Sequence, residues 1–126
     1  MSTLKVTNIQ ATGETASRAV SGIAAAWLNS TQVGTQAVRD SLNISSLTDL
    51  GTGQTQPSFA SNMNNDDYAG SVYFMASASE GYTGFANDHV GGFGNKTVGS
   101  FKTYSYATSA GVDSAIHDVI IMGDLA

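Results

Sequence analysis

The sequence predicts an all-β protein: an antiparallel β-sandwich or jelly-roll-like domain with an extended N-terminal arm. Ser, Thr, Asn and Gly make up 51 of the 126 residues, a composition that favours strands and turns over exposed helices. Short apolar segments alternate with turn-forming clusters along most of the chain. No segment has the 3.6-residue apolar period of an amphipathic helix, which leaves an antiparallel sandwich as the natural architecture.

Two parts are expected along the chain. Residues 1–21 are predicted to be an attachment arm and linker, because Leu4, Val6 and Ile9 are spaced among polar residues in a segment too short to form a sheet alone. A neighbouring subunit or a docking partner would then cover these three side chains. Residues 22–126 are predicted to be the sandwich domain.

The first half of that domain is predicted to contain three strands. Residues 22–28 form a short apolar run that we interpret as a buried strand. Residues 37–50 are interpreted as one half-buried strand, followed by a turn over 48–53 and an antiparallel return over 54–59. Pro57 is expected on an edge strand or at a strand end. The predicted buried side chains of the long strand are Val38, Leu42, Ile44 and Leu50.

The second half is predicted to begin with a loop or single helical turn over residues 62–67, followed by a strand over 68–78. Residues 80–94 hold five of the 14 glycines and are expected to form a long exposed loop. Strands are predicted over 98–107 and 114–123. In the strand predicted over 68–78, the side chains expected to be buried are Val72, Tyr73, Phe74 and Met75.

The bulk properties exclude several classes of partner. A net charge of −5 and a pI near 4.5 give no basic surface for nucleic acid or anionic membranes. No apolar stretch approaches the roughly 20 residues needed to span a bilayer, so membrane insertion is not expected. The amino terminus lacks a basic segment followed by an apolar run, which predicts assembly in a cytoplasm. There are no cysteines to form disulfides.

The candidate chemical motifs are incomplete, so neither an enzyme nor a cofactor or metal site is predicted. Residues 91–97 superficially suggest a phosphate-binding loop, but Asn95 replaces the glycine that should precede the lysine. His89 and His117 cannot form a zinc site without carboxylates supplied by the fold, and are expected at the surface or between subunits. The acidic loop over 62–67 lacks the glycine and the final glutamate of an EF-hand.

One group of residues is expected to make contact with a partner. Tyr82, Phe85, His89 and Phe93 are separated by Gly, Asn and Asp in the predicted loop over 80–94. Aromatic side chains on a loop can stack on sugars or anchor a protein surface. The alternative is that some of them fold back into the core.

Several segments of the first 75 residues or so form a recognisable pattern: Gly22-Ile-Ala-Ala-Ala-Trp27-Leu-Asn29, Gly34, the run from Val38-Arg-Asp-Ser-Leu-Asn-Ile to Gly51-Thr-Gly53, Phe59, Met63 and Asp67-Tyr68-Ala69. Through these residues this part of the chain resembles small tail-fibre and fibre-like virion proteins of tailed bacteriophages. The opening Leu4-Lys-Val-Thr-Asn-Ile9 is similar to their attachment segment.

The resemblance implies a homotrimeric, β-rich fibre or adhesin subunit of the virion, joined to other virion proteins by its amino-terminal arm. Its outer loops would meet a glycan or protein of the host surface. No functional residue can be carried over from the resemblance. Three alternatives stay open: a capsid decoration protein, a small carbohydrate-binding module and a minor hydrolase.

Overall fold

The computed structural model describes residues 6–9, 12, 18–19, 24–75, 89–107 and 110–126. Within them every regular element is a β-strand, and none of these residues forms a helix that could cross a membrane. The strands are β1 (Asn8–Ile9), β2 (Arg18–Ala19), β3 (Ala24–Thr31), β4 (Ala37–Leu42), β5 (Ile44–Gly51), β6 (Gln54–Phe59), β7 (Ala69–Met75), β8 (His89–Gly94), β9 (Lys102–Ala107), β10 (Ala110–Gly111) and β11 (Ile116–Met122).

Two antiparallel sheets form the body of the protein, which confirms the predicted all-β class. Sheet 1 has the strand order β4-β3-β11-β7. Sheet 2 has the order β10-β9-β6-β5, with β8 also paired to β9. Buried side chains from both sheets form a common interior, as expected for a β-sandwich.

Sheet 1 is centred on β3 and β11, which were both predicted as strands, over residues 22–28 and 114–123. Val119 lies opposite Leu28, and Ile121 lies opposite Ala26. These four side chains are buried because alternate residues of a strand point to the same face. The other face of each strand points away from the interior.

The predicted hairpin in sheet 2 is confirmed, since β5 pairs antiparallel with β6. Its turn contains Gly51 and Gly53 at φ values of 117° and 71°, a region that favours glycine. A Cβ on Gly53 would lie 2.3 Å from the backbone oxygen of Ser105. The close approach of the turn to β9 therefore also requires glycine.

The single strand predicted over residues 37–50 is wrong. The chain forms two strands there, β4 in sheet 1 and β5 in sheet 2, separated by Asn43 at φ 56°. The Asn43 side chain donates to the Ser61 oxygen at 3.1 Å and accepts from the Ser61 N–H at 2.7 Å. These bonds offset the cost of the left-handed backbone, and the chain passes from one sheet to the other.

This corner also changes which side chains are buried. Leu47 packs against the core, although it was not among the predicted buried residues. Ile44 is partly buried as predicted. The other three predicted core residues of this segment are exposed: Val38, Leu42 and Leu50.

Pro57 lies inside β6, between β5 and β9, and is therefore neither on an edge strand nor at a strand end. Its carbonyl accepts a hydrogen bond from the Phe101 N–H at 3.2 Å. The paired positions of β6 and β9 stop at Thr55 and Thr103. Pro57 occupies this gap in the ladder, where its missing N–H leaves no bond unmade.

The region after residue 62 departs from prediction at two places. Tyr73 is 49% exposed on the outer face of β7, although burial was expected. Residues 89–94 form β8 and pair with β9, so the exposed loop predicted over 80–94 is wrong for its last six residues. Residues 62–67 form an irregular loop without a helical turn.

One half of the interior is apolar. Phe101 is fully buried, and its ring centroid lies 5.4 Å from that of Phe59 and 5.1 Å from that of Phe93. Tyr68 packs edge-on against Phe59 at 5.6 Å. Phe93 reaches this cluster because Gly70 opposite it has no side chain: a Cβ there would lie 2.7 Å from the Phe93 ring. Met63 and Leu28 belong to the same core.

The other half of the interior is polar and hydrogen-bonded. Gln32 donates from Nε2 to Thr55 Oγ1 at 2.9 Å and accepts at Oε1 from the Ser114 N–H at 3.1 Å. Ser105 and Ser114 share a hydrogen bond of 2.9 Å between their hydroxyls. All four side chains are buried. Small polar side chains that look like surface residues in the sequence therefore fill half of the sandwich.

Candidate interaction surface

The outer face of sheet 1 carries a continuous row of apolar side chains. Leu42 lies opposite Trp27 on β3, and Trp27 lies opposite Ile120 on β11. Ile120 is 52% exposed and Leu42 is 48% exposed. Met122, two residues beyond Ile120, extends this row and is also exposed. We define Trp27, Leu42, Ile120 and Met122 as the apolar patch.

A second row of polar side chains borders the apolar patch. Asn29 lies between Asp40 and Asp118, and Tyr73 is opposite Asp118. Asn29 donates from Nδ2 to a carboxylate oxygen of Asp118 at 2.5 Å. Trp27, Ile120 and this polar pair line a shallow depression of about 370 Å³. An apolar centre with a polar rim is the arrangement found at protein interfaces.

Two continuous apolar runs in the sequence account for the patch. Residues 24–28 of β3 and 119–122 of β11 put apolar side chains on both faces of their strands. A strand that is apolar on both faces is typical of a sheet covered on both sides. The sequence predicted the first run to be a buried strand and the second to lie in a strand, but it did not assign Trp27, Ile120 and Met122 to a common outer face.

The predicted recognition residues do not form one described cluster. Tyr82 and Phe85 lie outside the described residues. His89 is placed only through its backbone, which pairs with Ala107. Phe93 is half-buried, and its ring lies against Phe101 and Tyr68. For this residue the alternative prediction, that some of these aromatic side chains fold back into the core, is therefore the correct one.

The predicted attachment arm is described in part. Val6 is 48% exposed, whereas Leu4 lies outside the described residues. Ile9 belongs to β1, which pairs antiparallel with β2 through Ile9 and Arg18. The predicted boundary between residues 21 and 22 also falls outside the described residues and stays a prediction.

His117 is not a surface histidine, contrary to expectation. It is fully buried, its Nδ1 lies 2.9 Å from the Ser30 hydroxyl, and its ring stacks on Phe74 with centroids 4.9 Å apart. The second ring nitrogen, Nε2, has no hydrogen-bond partner among the described residues. Burial lowers the pKa of His117 to about 4, so the neutral ring is the form that fits this site.

Tyr68 and Lys96 form a contact between an aromatic ring and a cation. The Tyr68 hydroxyl donates to the backbone oxygens of Thr97 and Ser100, and burial raises its pKa to about 12. Lys96 donates to the Tyr68 carbonyl at 3.0 Å and its Nζ lies 5.4 Å from the ring centroid. This lysine therefore stabilises the loop after β8.

The described residues contain no group of three or more His, Asp or Glu side chains that could hold a metal ion. Asp66 and Asp67 are exposed in the loop before β7, and the Asp67 N–H donates to Asn65 Oδ1 at 3.0 Å. These residues therefore form a solvent-exposed turn.

Comparison of the chain with protein-family models, with curated proteins and with solved structures gives no match.

Proposed function

We propose that this protein is a non-enzymatic structural subunit of a tailed-phage virion, a fibre or adhesin subunit that self-associates through the apolar patch. The observation that carries this proposal is the row of Leu42, Trp27 and Ile120 across three neighbouring strands of sheet 1. Large exposed side chains aligned in this way lose unfavourable contact with water when another surface covers them.

A second copy of the chain is the proposed cover. The patch combines an apolar centre with the short polar side chains of Asn29 and Asp118, which is compatible with an isologous or cyclic contact. The resemblance of the first 75 residues or so to fibre-like virion proteins supports a trimer. In this arrangement the amino-terminal arm, through Leu4, Val6 and Ile9, would join the trimer to other virion proteins.

The mass of the protein in solution tests self-association. We expect light scattering during size exclusion to give about three times the chain mass of 13.0 kDa. Ile120→Asp should shift the protein towards the monomer, because a carboxylate in a buried apolar contact costs several kcal/mol. Val33→Asp is the matched control, since Val33 is 53% exposed at the turn after β3 and should leave the mass unchanged. A monomeric wild-type protein would refute the proposal.

Copy number on the particle separates the fibre from the capsid decoration alternative. A fibre subunit should be present in tens of copies or fewer, whereas a protein that coats the head should reach hundreds, since each count follows the symmetry of its attachment site. Quantitative mass spectrometry of purified particles measures this number. Hundreds of copies would replace the fibre assignment by the decoration assignment without affecting self-association.

A further inference from the structure

The outer face of sheet 2 differs in chemistry from the apolar patch. Tyr104 and Tyr106 are neighbours on this face of β9, and their rings are nearly parallel, with centroids 6.3 Å apart and planes at 9°. Thr103 and Ser105, which alternate with them, are fully buried on the inner face. Both tyrosines therefore point away from the sandwich interior.

Glycines lie beside the two tyrosines. Gly92 of β8 is opposite Tyr104, and Gly111 of β10 is opposite Tyr106. A Cβ added to Gly92 would come within 3.4 Å of the Tyr104 Cβ. The side of the Tyr104 ring that faces β8 is therefore not covered by a neighbouring side chain at this position.

Amide, hydroxyl and ammonium groups surround the tyrosines. Gln54 is opposite Tyr104 on β6, and Lys102 precedes Tyr104 on the same face of β9. The remaining outward positions of β5 and β6 are paired as Thr48 with Gln56 and as Ser46 with Ser58. No carboxylate occupies these paired outward positions, although the whole chain has a net charge of −5.

We propose that this face, defined by Tyr104, Tyr106, Gln54 and Lys102, binds a carbohydrate chain. A sugar ring presents C–H groups that stack on an aromatic ring and hydroxyls that bond to amides and hydroxyls at its edge. Apart from Trp27, the members of the apolar patch are aliphatic side chains without hydrogen-bonding groups. Lys102 and the absence of a carboxylate at the paired outward positions of β5 and β6 named above make the surface compatible with neutral and acidic glycans.

This proposal extends the role in host-surface recognition and rests on it, but it uses a different face from self-association. The two can therefore fail separately. A trimeric protein without glycan binding would contradict only the carbohydrate site. A monomeric protein that binds glycans through Tyr104 would contradict only the fibre assembly.

Binding of the full chain to an array of bacterial polysaccharides and of neutral and acidic oligosaccharides tests the site. Tyr104→Ala and Tyr106→Ala should each weaken binding about tenfold or more. Tyr104→Phe should retain most of the affinity because it keeps the ring. Val33→Ala is the control, since Val33 is 53% exposed at the turn after β3, and it should leave the affinity unchanged. Tyr73→Ala, at an exposed tyrosine on the outer face of sheet 1, tests whether the glycan binds to that sheet instead.

Two further variants cover the case in which removal of a tyrosine disturbs the fold. Gly92→Gln adds a side chain beside the Tyr104 ring and should block binding while circular dichroism stays that of the wild type. Lys102→Gln should weaken acidic glycans more than neutral ones. Absence of binding to every glycan on the array would overturn the proposal. Binding that is reduced by Tyr73→Ala and unaffected by Tyr104→Ala would also overturn it.

Discussion

The two halves of the sandwich interior are stabilised in different ways. Around Phe101 the side chains are aromatic or aliphatic, and stability comes from apolar area removed from water and from close packing. Around Gln32 and Ser114 the side chains are polar, and each must keep a directional partner. The first half should tolerate a hydrophobic substitute of similar volume, whereas the second should be sensitive to the loss of single atoms.

The largest expected effect is in the apolar half. Phe101→Ala should lower the free energy of unfolding by about 3–5 kcal/mol, because it removes a fully buried ring between Phe59 and Phe93. Phe101→Leu should cost much less, since the site stays apolar and nearly filled. Urea unfolding measures both values. An equal loss for the two variants would show that ring geometry, and not apolar volume, controls this half.

The second prediction concerns His117 and pH. An unfolded histidine takes up a proton near pH 6.5, whereas the buried His117 does so only near pH 4. Above about pH 6.5 the ring is neutral in both states, and His117 does not lower the free energy of unfolding. As the pH is lowered from 6.5 to 4, protonation of the unfolded state lowers the free energy of unfolding. Below about pH 4 both states are protonated, and His117 causes no further change. The loss should be roughly 3 kcal/mol. Urea unfolding at a series of pH values measures the slope.

His117→Asn is the control for this slope, because asparagine cannot titrate. The variant should be less stable at neutral pH, since the ring stacks on Phe74 and contacts Ser30. Between pH 6.5 and pH 4 its stability should depend less on pH than that of the wild type. An unchanged slope in His117→Asn would mean that other groups cause the acid sensitivity.

The third prediction concerns the hydrogen-bond network at Gln32. Gln32→Leu should cost about 2–3 kcal/mol, because the Ser114 N–H would lose its acceptor and Thr55 Oγ1 would lose a donor in a buried site. Gln56→Leu, on the outer face of the same sheet as Thr55, should change the unfolding free energy by less than about 0.5 kcal/mol. If the two leucine variants lost similar amounts of unfolding free energy, the buried hydrogen bonds of Gln32 would contribute no more to stability than a glutamine on the surface.

The smallest effect is expected from a double-mutant cycle on Ser105 and Ser114. Each single change to alanine should cost about 1–2 kcal/mol, since it leaves the other buried hydroxyl without its partner at 2.9 Å. The double variant should cost less than the sum of the two. Chemical unfolding of all four proteins gives the coupling energy. Additive losses would mean that the two hydroxyls do not depend on each other.

The pattern of the sequence predicted several elements correctly because their local signals agree with their tertiary position. The turn over 48–53 and the antiparallel return over 54–59 were predicted from the glycines and Asp49, and β5 and β6 pair across this turn. The prediction of one strand over 37–50 failed at Asn43. The alternation of apolar and polar residues continues through Asn43, whereas its φ of 56° directs the chain to the other sheet. Nothing in a two-residue period distinguishes a straight strand from one that turns at such a residue.

The candidate sites were less predictable than the fold. Phe93 lies in a glycine-rich segment that is typical of a loop, and only the space left by Gly70 in the neighbouring strand allows its ring into the core. The apolar patch depends on Leu42, Trp27 and Ile120, which are far apart in the chain and meet through strand pairing. The tyrosine pair on β9 was predicted to lie on a strand, but its outward direction was not.

The sequence by itself determined the all-β class, because abundant short polar residues, few helix-forming residues and closely spaced turns are local properties of the chain. The tertiary structure decided which polar residues are buried. Gln32, Thr55, Ser114 and His117 look like surface residues, and their burial is stable only where hydrogen-bond partners or a stacking ring meet them from other strands. Such pairing requires residues distant in sequence to come together, which no local pattern specifies.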